Sequence, residues 1–298
     1  MSNYYINKEG TAVINIARYL MTTYVNERLK TIDFLSEEFC VSVGFIQKAL
    51  TTLESTGAVK LRKQGRNGTF IEYLNYELII KHAGFGHVVC AMPLPYTKHY
   101  EGIASGLKQQ LGQLPLYFAH MRGANSRAEC LQNGTYDIAI MSKLAAMTLG
   151  PSMKVAIELG RQSYSFEHRL IYRSGKFDSI RKVGVDSSSP DQKILTEKVF
   201  SDHNVEIVEI NYNNCLMCLK SGQIDAVIWL PEVFDMKEYG LSEYSLNHFP
   251  ECHLASEAVM VVNTTSPHIS ILLDRMLDSS QLLIHQQQVI LGKITPSY

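Results

Sequence analysis

A ten-residue pattern occurs twice in this chain, as LQNGTYDIAI at 131–140 and as LKSGQIDAVI at 219–228. Each copy reads as the end of a helix, a glycine (Gly134 or Gly222) and then an apolar run. Glycine adopts the positive φ that ends a helix at little cost, and a wholly apolar run is typical of a strand buried on both faces. The repeat therefore predicts two α/β lobes of one design.

The aspartate that opens each apolar run, Asp137 or Asp225, invites a catalytic interpretation. An aspartate that enters a strand directly after a helix end more often accepts hydrogen bonds from nearby backbone, so a structural role is predicted. Strand and helix patterns alternate through the first copy, with a helix over Lys98–Leu111 and strands over Leu116–His120 and Asp137–Met141. This order predicts a parallel sheet.

The first 75 residues have a different pattern. Apolar spacing predicts three helices, over 11–25, over Ile32–Phe39 and from Ser42, which is predicted to cap the third, to near Gly57. Val43, Ile46, Leu50 and Leu53 of the third helix are predicted to face inward. Two short strands, 58–62 and 69–73, flank a turn-rich segment and predict a hairpin. Three helices followed by a hairpin make a winged helix.

The exposed face of the third helix and the hairpin are the predicted DNA-binding surface. Four basic residues and no acidic one lie between Val59 and Phe70, which suits a hairpin that contacts phosphates, although a solvated turn is the alternative. A net charge of -1 implies that any DNA footprint is local. The candidate DNA-binding residues are Ser42, Gly44, Phe45, Gln47, Lys48, Thr51, Lys60, Arg62, Lys63 and Arg66.

This region resembles the DNA-binding domains of the GntR family of bacterial regulators over roughly residues 8–75. The matching positions are Ser42, Ala49–Leu50, Leu53–Gly57 and Gly68–Ile71. Where that family usually has arginines, this chain has Val43 and Gln47, so the family's operator preference is not implied. Gln47 can read adenine, and Lys48 can reach guanine or phosphate.

The two lobes resemble the type 2 periplasmic-binding-protein fold, familiar as the effector domain of LysR-type regulators. With the GntR-like head, the whole chain resembles the YhfZ family of bacterial regulators. The resemblance implies an α/β multi-domain chain that is a homodimeric, effector-controlled transcription regulator bound to a double-stranded DNA operator. The implied segments are a winged helix at 1–75, a linker at 76–82 and an effector domain at 83–298, with lobe one at about 83–176 and 256–298, ending in a helix packed on that lobe, and lobe two at about 183–251.

In open α/β sheets, ligands bind beyond the carboxyl ends of the strands. Ser126 and Glu129 form a predicted capping box beside Arg122 and Arg127, which would favour a carboxylate or phosphate, although a capping box is also an ordinary helix start. In lobe two, Ser189, Pro190 and Gln192 are predicted to begin a helix, which leaves Ser187 and Ser188 free to donate hydrogen bonds. Trp229 is predicted either as an aromatic wall or as interlobe core. The candidate ligand-binding residues are Pro93, Tyr96, Arg122, Asn125, Ser126, Ser142, Lys143, Ser187, Ser188, Tyr212 and Trp229.

No GxSxG, HExxH, Walker or GxGxxG motif occurs, and the single CxxC, at Cys215–Cys218, is predicted to be buried helix filler. No catalytic residue, cofactor or metal is predicted. Two alternatives remain, a cleft that has lost its ligand and serves only dimerisation, and an enzyme built on the same fold. The sequence shows neither a signal peptide nor an apolar run of ~18 residues, so a cytoplasmic protein without a membrane partner is predicted.

Overall fold

The computed structural model describes residues 7–85, 87–112, 114–173, 175, 177–230, 236 and 239–298. These residues divide into two compact units. The N-terminal unit comprises the residues up to His87 together with Pro267–Arg275. The C-terminal unit comprises Val88–Ser266 and Met276–Tyr298. None of the described helices is both long and apolar enough to span a membrane.

Three helices and a hairpin open the N-terminal unit, as the sequence predicted. Its elements before Val88 are α1 (Lys8–Met21), α2 (Ile32–Glu38), α3 (Val43–Ser55), β1 (Val59–Lys63), β2 (Thr69–Leu74) and α4 (Tyr76–His82). Strands β1 and β2 pair antiparallel, and Arg28 adds a bridge to Phe70. We call residues 59–74 the wing. Thr31 caps α2 by accepting a hydrogen bond from the Phe34 N–H (3.2 Å), and Gly57 leaves α3 with a φ of 77°. The fold is a winged helix.

Two predictions about α3 are wrong. Val43 was predicted to face inward, but 38% of it is exposed, whereas Ile46 is fully buried. Val43 is the first residue of α3 and lies one turn before Ile46, so it falls outside the buried part of the helix. Ser42 occupies the N-cap position, but its side chain makes no capping hydrogen bond.

The stretch predicted as a linker, 76–82, is helix α4. Asn75 caps it by accepting from the Leu78 N–H (3.2 Å), and Ile79 and Ile80 are buried. Its seven residues are too few to show a helical apolar repeat, so the sequence predicted a linker. It packs against α1 within the N-terminal unit.

The C-terminal unit contains two five-stranded mixed sheets. Its helices and strands are β3 (Val88–Met92), α5 (Lys98–Gln110), β4 (Leu116–His120), α6 (Ala124–Gln132), β5 (Ile138–Ser142), α7 (Lys143–Ala146), β6 (Met153–Glu158), β7 (Arg169–Arg173), β8 (Lys182–Val185), α8 (Pro190–Val199), β9 (Glu206–Glu209), α9 (Cys215–Ser221), β10 (Ala226–Trp229), β11 (Leu241–Ser245), α10 (Pro250–Ala255), β12 (Ala258–Asn263), α11 (Pro267–Met276, which belongs mainly to the N-terminal unit) and α12 (Ser279–Ile290).

The first lobe is built on the sheet β4-β3-β5-β12-β6 and the second lobe on β11-β7-β10-β8-β9. Strands β3, β4 and β5 are parallel, as predicted, and so are β8, β9 and β10. Antiparallel pairings complete each sheet: β12 pairs with β5 and β6 in the first lobe, and β7 pairs with β10 and β11 in the second. The chain passes between the lobes at 159–168, which we call the crossover, and returns at 246–257.

The predicted lobe boundary is wrong at β7. The sequence assigned 169–173 to lobe one, but β7 pairs antiparallel with β10 and β11 of the second lobe. These partners come more than fifty residues later in the chain, and no local pattern indicates that pairing. The C-terminal segment also differs from the prediction, because two helices follow β12. Helix α12 packs on α5 of the first lobe, whereas in α11 the Arg275 guanidinium lies over the ring of Tyr24 (4.3 Å) in the N-terminal unit.

The duplicated pattern has the same structure in both lobes. Gly134 and Gly222 have φ values of 74° and 73°. Asp137 accepts a hydrogen bond from the Val89 N–H (2.8 Å) through its carboxylate, and Asp225 accepts from the N–H groups of Arg181 (3.0 Å) and Lys182 (2.9 Å). Each aspartate thus ties its own strand to the start of the neighbouring parallel strand, and the predicted structural role is confirmed.

Asp225→Ala is therefore expected to destabilise the protein by about 1–3 kcal/mol, because two backbone donors lose a charged acceptor. Urea unfolding measures the change. Asp225→Asn keeps an acceptor oxygen and is expected to lose less. Asp202→Ala, which removes an exposed carboxylate in the same lobe, is the matched control and should stay within about 0.5 kcal/mol of wild type. Equal losses in Asp225→Ala and Asp202→Ala would contradict the assigned role.

Candidate functional site

A cavity of about 350 Å³ lies between the two lobes, at the carboxyl ends of their parallel strands. This is the position at which open α/β sheets bind ligands. We call it the cleft. Six of the eleven candidate ligand residues line it: Pro93, Tyr96, Arg122, Ser188, Tyr212 and Trp229. Five do not: Asn125, Ser126, Ser142, Lys143 and Ser187.

Three helices begin at the cleft. Thr97 caps α5 and Ser189 caps α8, each by accepting a backbone N–H through its hydroxyl. Helix α6 begins at Ala124 after Gly123, which has a φ of 80° and offers no side-chain cap. The first N–H groups of a helix have no partner within the helix, so the start of α6 is the end best suited to hold an anion.

The predicted capping box at Ser126 is wrong. Because Gly123 takes the N-cap position, α6 begins at Ala124 and Ser126 lies inside its first turn. A glycine with positive φ gives no distinctive sequence signal as a cap, whereas Ser126 followed by Glu129 does. Asn125 also lies outside the cleft, where its amide donates to the Ser187 carbonyl of the other lobe (3.5 Å).

The remaining candidates have partners within the protein. Lys143 makes ion pairs with Glu158 (2.6 Å) and Glu257 (3.5 Å). The buried Ser142 hydroxyl donates to Asp191 (2.6 Å). Ser142 is the last residue of β5 and Lys143 begins α7. Their contacts with Asp191 of α8 and with Glu257 of the returning segment 246–257 occupy the carboxyl end of β5.

Residues of the two lobes meet across the mouth of the cleft. The Tyr96 hydroxyl donates to Asn213 of the second lobe (2.5 Å), and Arg122 forms an ion pair with Asp186 (3.6 Å). Gly123 approaches Ser188 so closely that a Cβ atom built on Gly123 would lie 2.8 Å from the Ser188 Cβ and 2.9 Å from its carbonyl oxygen. The lobes are therefore in contact around the cavity.

Ser188 was predicted to be free to donate, but its hydroxyl already donates to the Asp186 carboxylate (2.6 Å). Asp186 also accepts from the N–H groups of Ser188 (3.0 Å) and Tyr212 (2.9 Å). Burial raises the pKa of Asp186, but these hydrogen bonds and Arg122 outweigh it and keep the pKa below its ordinary value. Asp186 thus organises the loop beside the cleft as a carboxylate.

Arg127 lines the cleft and is 3% exposed. Its guanidinium donates to the carbonyls of Ile140 (2.9 Å) and Met121 (2.8 Å) and to the Tyr164 hydroxyl (3.2 Å). Among the described residues, no carboxylate lies within 4 Å of it to form an ion pair. A buried positive charge without an anionic partner is costly. Sequence reasoning noted Arg127 beside Arg122 but did not include it among the candidate ligand residues.

Two further buried groups face the same cavity. Burial raises the pKa of Asp191 to about 6, although the Ser142 hydrogen bond and the charge of Arg127 oppose the shift. Burial lowers the pKa of His168 to about 4, so its imidazole is neutral near pH 7. His168 and Tyr164 come from the crossover, which carries no motif in the sequence, and both were missed.

Aromatic side chains form much of the remaining wall. The rings of Tyr96 and Tyr212 stack across the lobes with centroids 6.4 Å apart, and those of Tyr100 and Tyr164 lie 4.8 Å apart. Trp229 closes another side. The cleft thus combines an aromatic wall with the guanidinium groups of Arg122 and Arg127, a composition typical of sites for small polar ligands.

The basic residues of the predicted DNA-binding surface fall into two groups, those that make ion pairs and those that do not. Lys48 of α3 and Lys60 of the wing make ion pairs with Glu9 (2.7 Å) and Glu72 (3.0 Å). Three exposed basic residues of the wing make no ion pair with any residue that the structure describes: Arg62, Lys63 and Arg66.

Of the other candidates on α3, Ser42, Gly44, Gln47 and Thr51 are exposed and Phe45 is half-buried. Sequence reasoning missed Arg28, an exposed residue whose guanidinium lies over Gly68 of the wing. A Cβ atom on Gly68 would lie 2.8 Å from its Nε.

Comparisons with known proteins agree with both halves of this architecture. A family model for the YhfZ C-terminal domain matches residues 75–298, and one for a helix-turn-helix domain matches residues 25–71. YhfZ of Escherichia coli (strain K12) is 42% identical over 301 residues, which cover 100% of both chains. The crystal structure of YhfZ from Shigella flexneri is 43% identical with a TM-score of 0.68, and the match covers 74% of this chain and 97% of that one. The periplasmic aliphatic sulphonate binding protein SsuA from Escherichia coli is 9% identical with a TM-score of 0.50, over 70% of this chain and 75% of that one, a likeness of fold alone.

The winged helix and the two-lobed C-terminal domain define the class: a helix-turn-helix regulator that carries a domain with the fold of periplasmic ligand-binding proteins. Within that class, the chain belongs to the YhfZ family. The resemblance drawn from the sequence and the α/β multi-domain fold class are confirmed.

Proposed function

We propose that this protein is a transcription regulator whose affinity for operator DNA is set by a small anion bound in the cleft. One observation carries the proposal of an anion. The Arg127 guanidinium is 3% exposed, lines the cavity and has no carboxylate partner among the described residues. Asp191 offsets that charge only from beyond ion-pair distance, and a carboxylate or phosphate in the cleft supplies the direct anionic partner that Arg127 lacks.

Arg122 and the first turn of α6 support the same assignment. Arg122 is half-exposed at the mouth of the cleft, where its partner Asp186 already accepts three other hydrogen bonds. The unpaired N–H groups at the start of α6 add a partial positive charge. An anion held between them contacts the first lobe directly, beside the point where Gly123 meets Ser188 of the second lobe. Such a ligand favours the arrangement in which the lobes meet.

DNA binding is assigned to α3 and the wing. In the proposed regulator, a cytoplasmic homodimer presents two α3 helices to half-sites about one DNA turn, ~34 Å, apart. The anion changes the arrangement of the lobes and hence the spacing of the two helices, which couples the two binding events.

We expect small carboxylates or phosphates to raise the melting temperature of the wild-type protein, and Arg122→Ala to weaken the tightest of them by about 10- to 100-fold. This loss corresponds to one charge-assisted hydrogen bond. A thermal-shift screen with phosphate, sulfate and small carboxylates finds the ligand, and titration calorimetry measures the affinity. Lys154→Ala removes an exposed positive charge from β6 of the same lobe and is expected to bind as wild type does.

If no anion protects the wild-type protein, the cleft serves the ligand-free dimerisation role and the proposal of an anionic effector fails. Unchanged affinity in Arg122→Ala would show that Arg122 does not contact the anion. The enzyme alternative predicts that the protein converts the ligand. A regulator only binds it, so we expect NMR to show that the ligand recovered after long incubation with the protein is chemically unchanged.

A further inference from the structure

His168 is a buried histidine in the wall of the cleft, contributed by the last residue of the crossover. It is 4% exposed, and its Nδ1 has no hydrogen-bond partner among the described residues. Buried polar atoms in native proteins are nearly always paired, so an orphaned nitrogen at a ligand cavity calls for a partner from outside the chain.

The partner that His168 needs is a neutral one. The imidazole is uncharged near pH 7 because burial disfavours its protonated form. A neutral imidazole has one donor and one acceptor nitrogen, and either tautomer can be present. A hydroxyl group both donates and accepts, so it pairs with Nδ1 in either tautomer. An ammonium group pairs with only one.

The position of His168 relative to Arg127 sets where this hydroxyl lies. Arg127 donates to the Tyr164 hydroxyl (3.2 Å), and Tyr164 and His168 both belong to the crossover. Arg127, Tyr164 and His168 all line the one cavity of about 350 Å³. One small molecule with two functional groups can contact both Arg127 and His168.

We propose that His168 is a ligand-binding residue and that the effector is a hydroxylated anion, a small hydroxy acid or a hydroxyalkyl phosphate. This inference rests on the proposed function, since it assumes that Arg127 and Arg122 hold the anionic group. It adds the second recognition element, which distinguishes the effector from simple carboxylates and phosphates.

The test compares matched ligand pairs that differ by one hydroxyl group: propionate with lactate, butyrate with 3-hydroxybutyrate, and ethyl phosphate with 2-hydroxyethyl phosphate. Calorimetry with the full-length protein gives each affinity. We expect at least one hydroxylated member to bind about tenfold tighter than its partner, because a site built to hydrogen-bond a hydroxyl rejects the analogue that lacks it. The carboxylate and phosphate pairs show which anionic group the site takes.

Two variants assign the preference to His168. His168→Leu is expected to abolish the preference, so that the two members of each pair bind it with similar affinity. His168→Asn keeps a polar group near the Nδ1 position and is expected to retain part of the preference for the hydroxylated ligand. His203→Leu, which removes an exposed imidazole outside the cleft, is the control. If His168→Leu does not fold, the imidazole ¹⁵N resonances of the wild-type protein, assigned against His168→Asn, must shift when the hydroxylated ligand binds.

Equal affinity for both members of every pair in the wild-type protein overturns the inference and leaves the anion site in place. A preference that persists in His168→Leu, or imidazole resonances of His168 that do not move, also overturns it. If no member of any pair binds, the proposed function fails, and the inference fails with it.

Discussion

The double variant Arg62→Ala/Arg66→Ala is expected to bind double-stranded DNA roughly 50-fold more weakly than wild type at 0.1 M salt, with a logarithmic salt slope shallower by about 2. Both arginines lie on the wing, are exposed and make no ion pair with the described residues. Each is therefore ready to displace a counterion from a phosphate. Fluorescence anisotropy with a labelled duplex across a salt titration measures both quantities.

A charge-matched control separates this effect from a general loss of positive charge. Lys30→Ala/Lys81→Ala also removes two basic residues from the N-terminal unit, but each of these lysines makes an ion pair, with Glu38 (3.0 Å) and Glu77 (3.1 Å). The control is expected to change the slope by much less. A slope as shallow as that of the wing variant would show that net charge, and not the wing, sets DNA affinity.

Lys48 and Lys60 are each paired with a glutamate, and this affects which basic groups contact phosphate. A phosphate must compete with Glu9 for Lys48 and with Glu72 for Lys60. Each of these phosphate contacts therefore contributes less binding free energy than a contact with an unpaired cation. The polar face of α3 is then left mainly to reading bases. Arg28 is placed to support the wing, because its guanidinium lies over Gly68.

Features encoded by neighbouring residues were predictable from the sequence. The duplicated helix–glycine–aspartate–strand pattern predicted the positive φ of Gly134 and Gly222, which depends on adjacent residues. It also predicted that Asp137 and Asp225 bond to backbone, but not which backbone groups, since these lie 48 and 44 residues earlier in the chain. The winged helix was predictable because its helix ends and hairpin follow from local turn residues.

Features that depend on distant partners were not predictable. Strand β7 joins the second lobe because it pairs with β10 and β11. Helix α11 is separated in sequence from the N-terminal unit to which it belongs, and its Arg275 contacts Tyr24 through a cation–π interaction that leaves no spacing pattern. In each case the sequence predicts an ordinary strand or amphipathic helix, but it does not show which other element that strand or helix packs against.

The cleft shows the same division. Its location followed from the rule about strand ends, and six candidate residues line it. Ser142 and Lys143 also lie at the end of a strand, but contacts within the protein occupy them. Conversely, His168 belongs to a crossover segment without a motif, and only the packing of two lobes brings it to the cavity. Burial and hydrogen-bond partners, which are properties of the assembled fold, decide which residues are available to a ligand.

Gly123→Ala is expected to lower the affinity for the anion found in the screen on the order of a hundredfold, because the binding-competent arrangement of the lobes becomes rare. A Cβ atom on Gly123 would lie 2.8 Å from the Ser188 Cβ and 2.9 Å from the Ser188 carbonyl oxygen. Backbone cannot rotate away as the end of a flexible side chain can, so the lobes must separate at this point. Separation moves Asp186 and Ser188 away from Arg122 and from the start of α6.

Gly134→Ala is the matched control for this variant. Gly134 has nearly the same positive φ, 74° against 80° for Gly123, but nothing lies within 4 Å of its built Cβ. Both substitutions carry the strain of a positive φ, but the ψ of 132° at Gly123 lies outside the left-handed helical region, so Gly123→Ala carries more strain and also adds the clash between lobes. Urea unfolding is expected to give a loss in both variants, larger in Gly123→Ala, whereas calorimetry is expected to give weakened anion binding in Gly123→Ala alone.

The emission of Trp229, the single tryptophan in the chain, reports on the cleft directly. In wild type and Gly134→Ala, the anion is expected to change that emission as the lobes come together around it, and in Gly123→Ala the change is expected only at much higher anion concentration. If Gly123→Ala binds the anion as tightly as Gly134→Ala does, contact between the lobes at Ser188 is not required for binding, and the anion must be held by the first lobe alone.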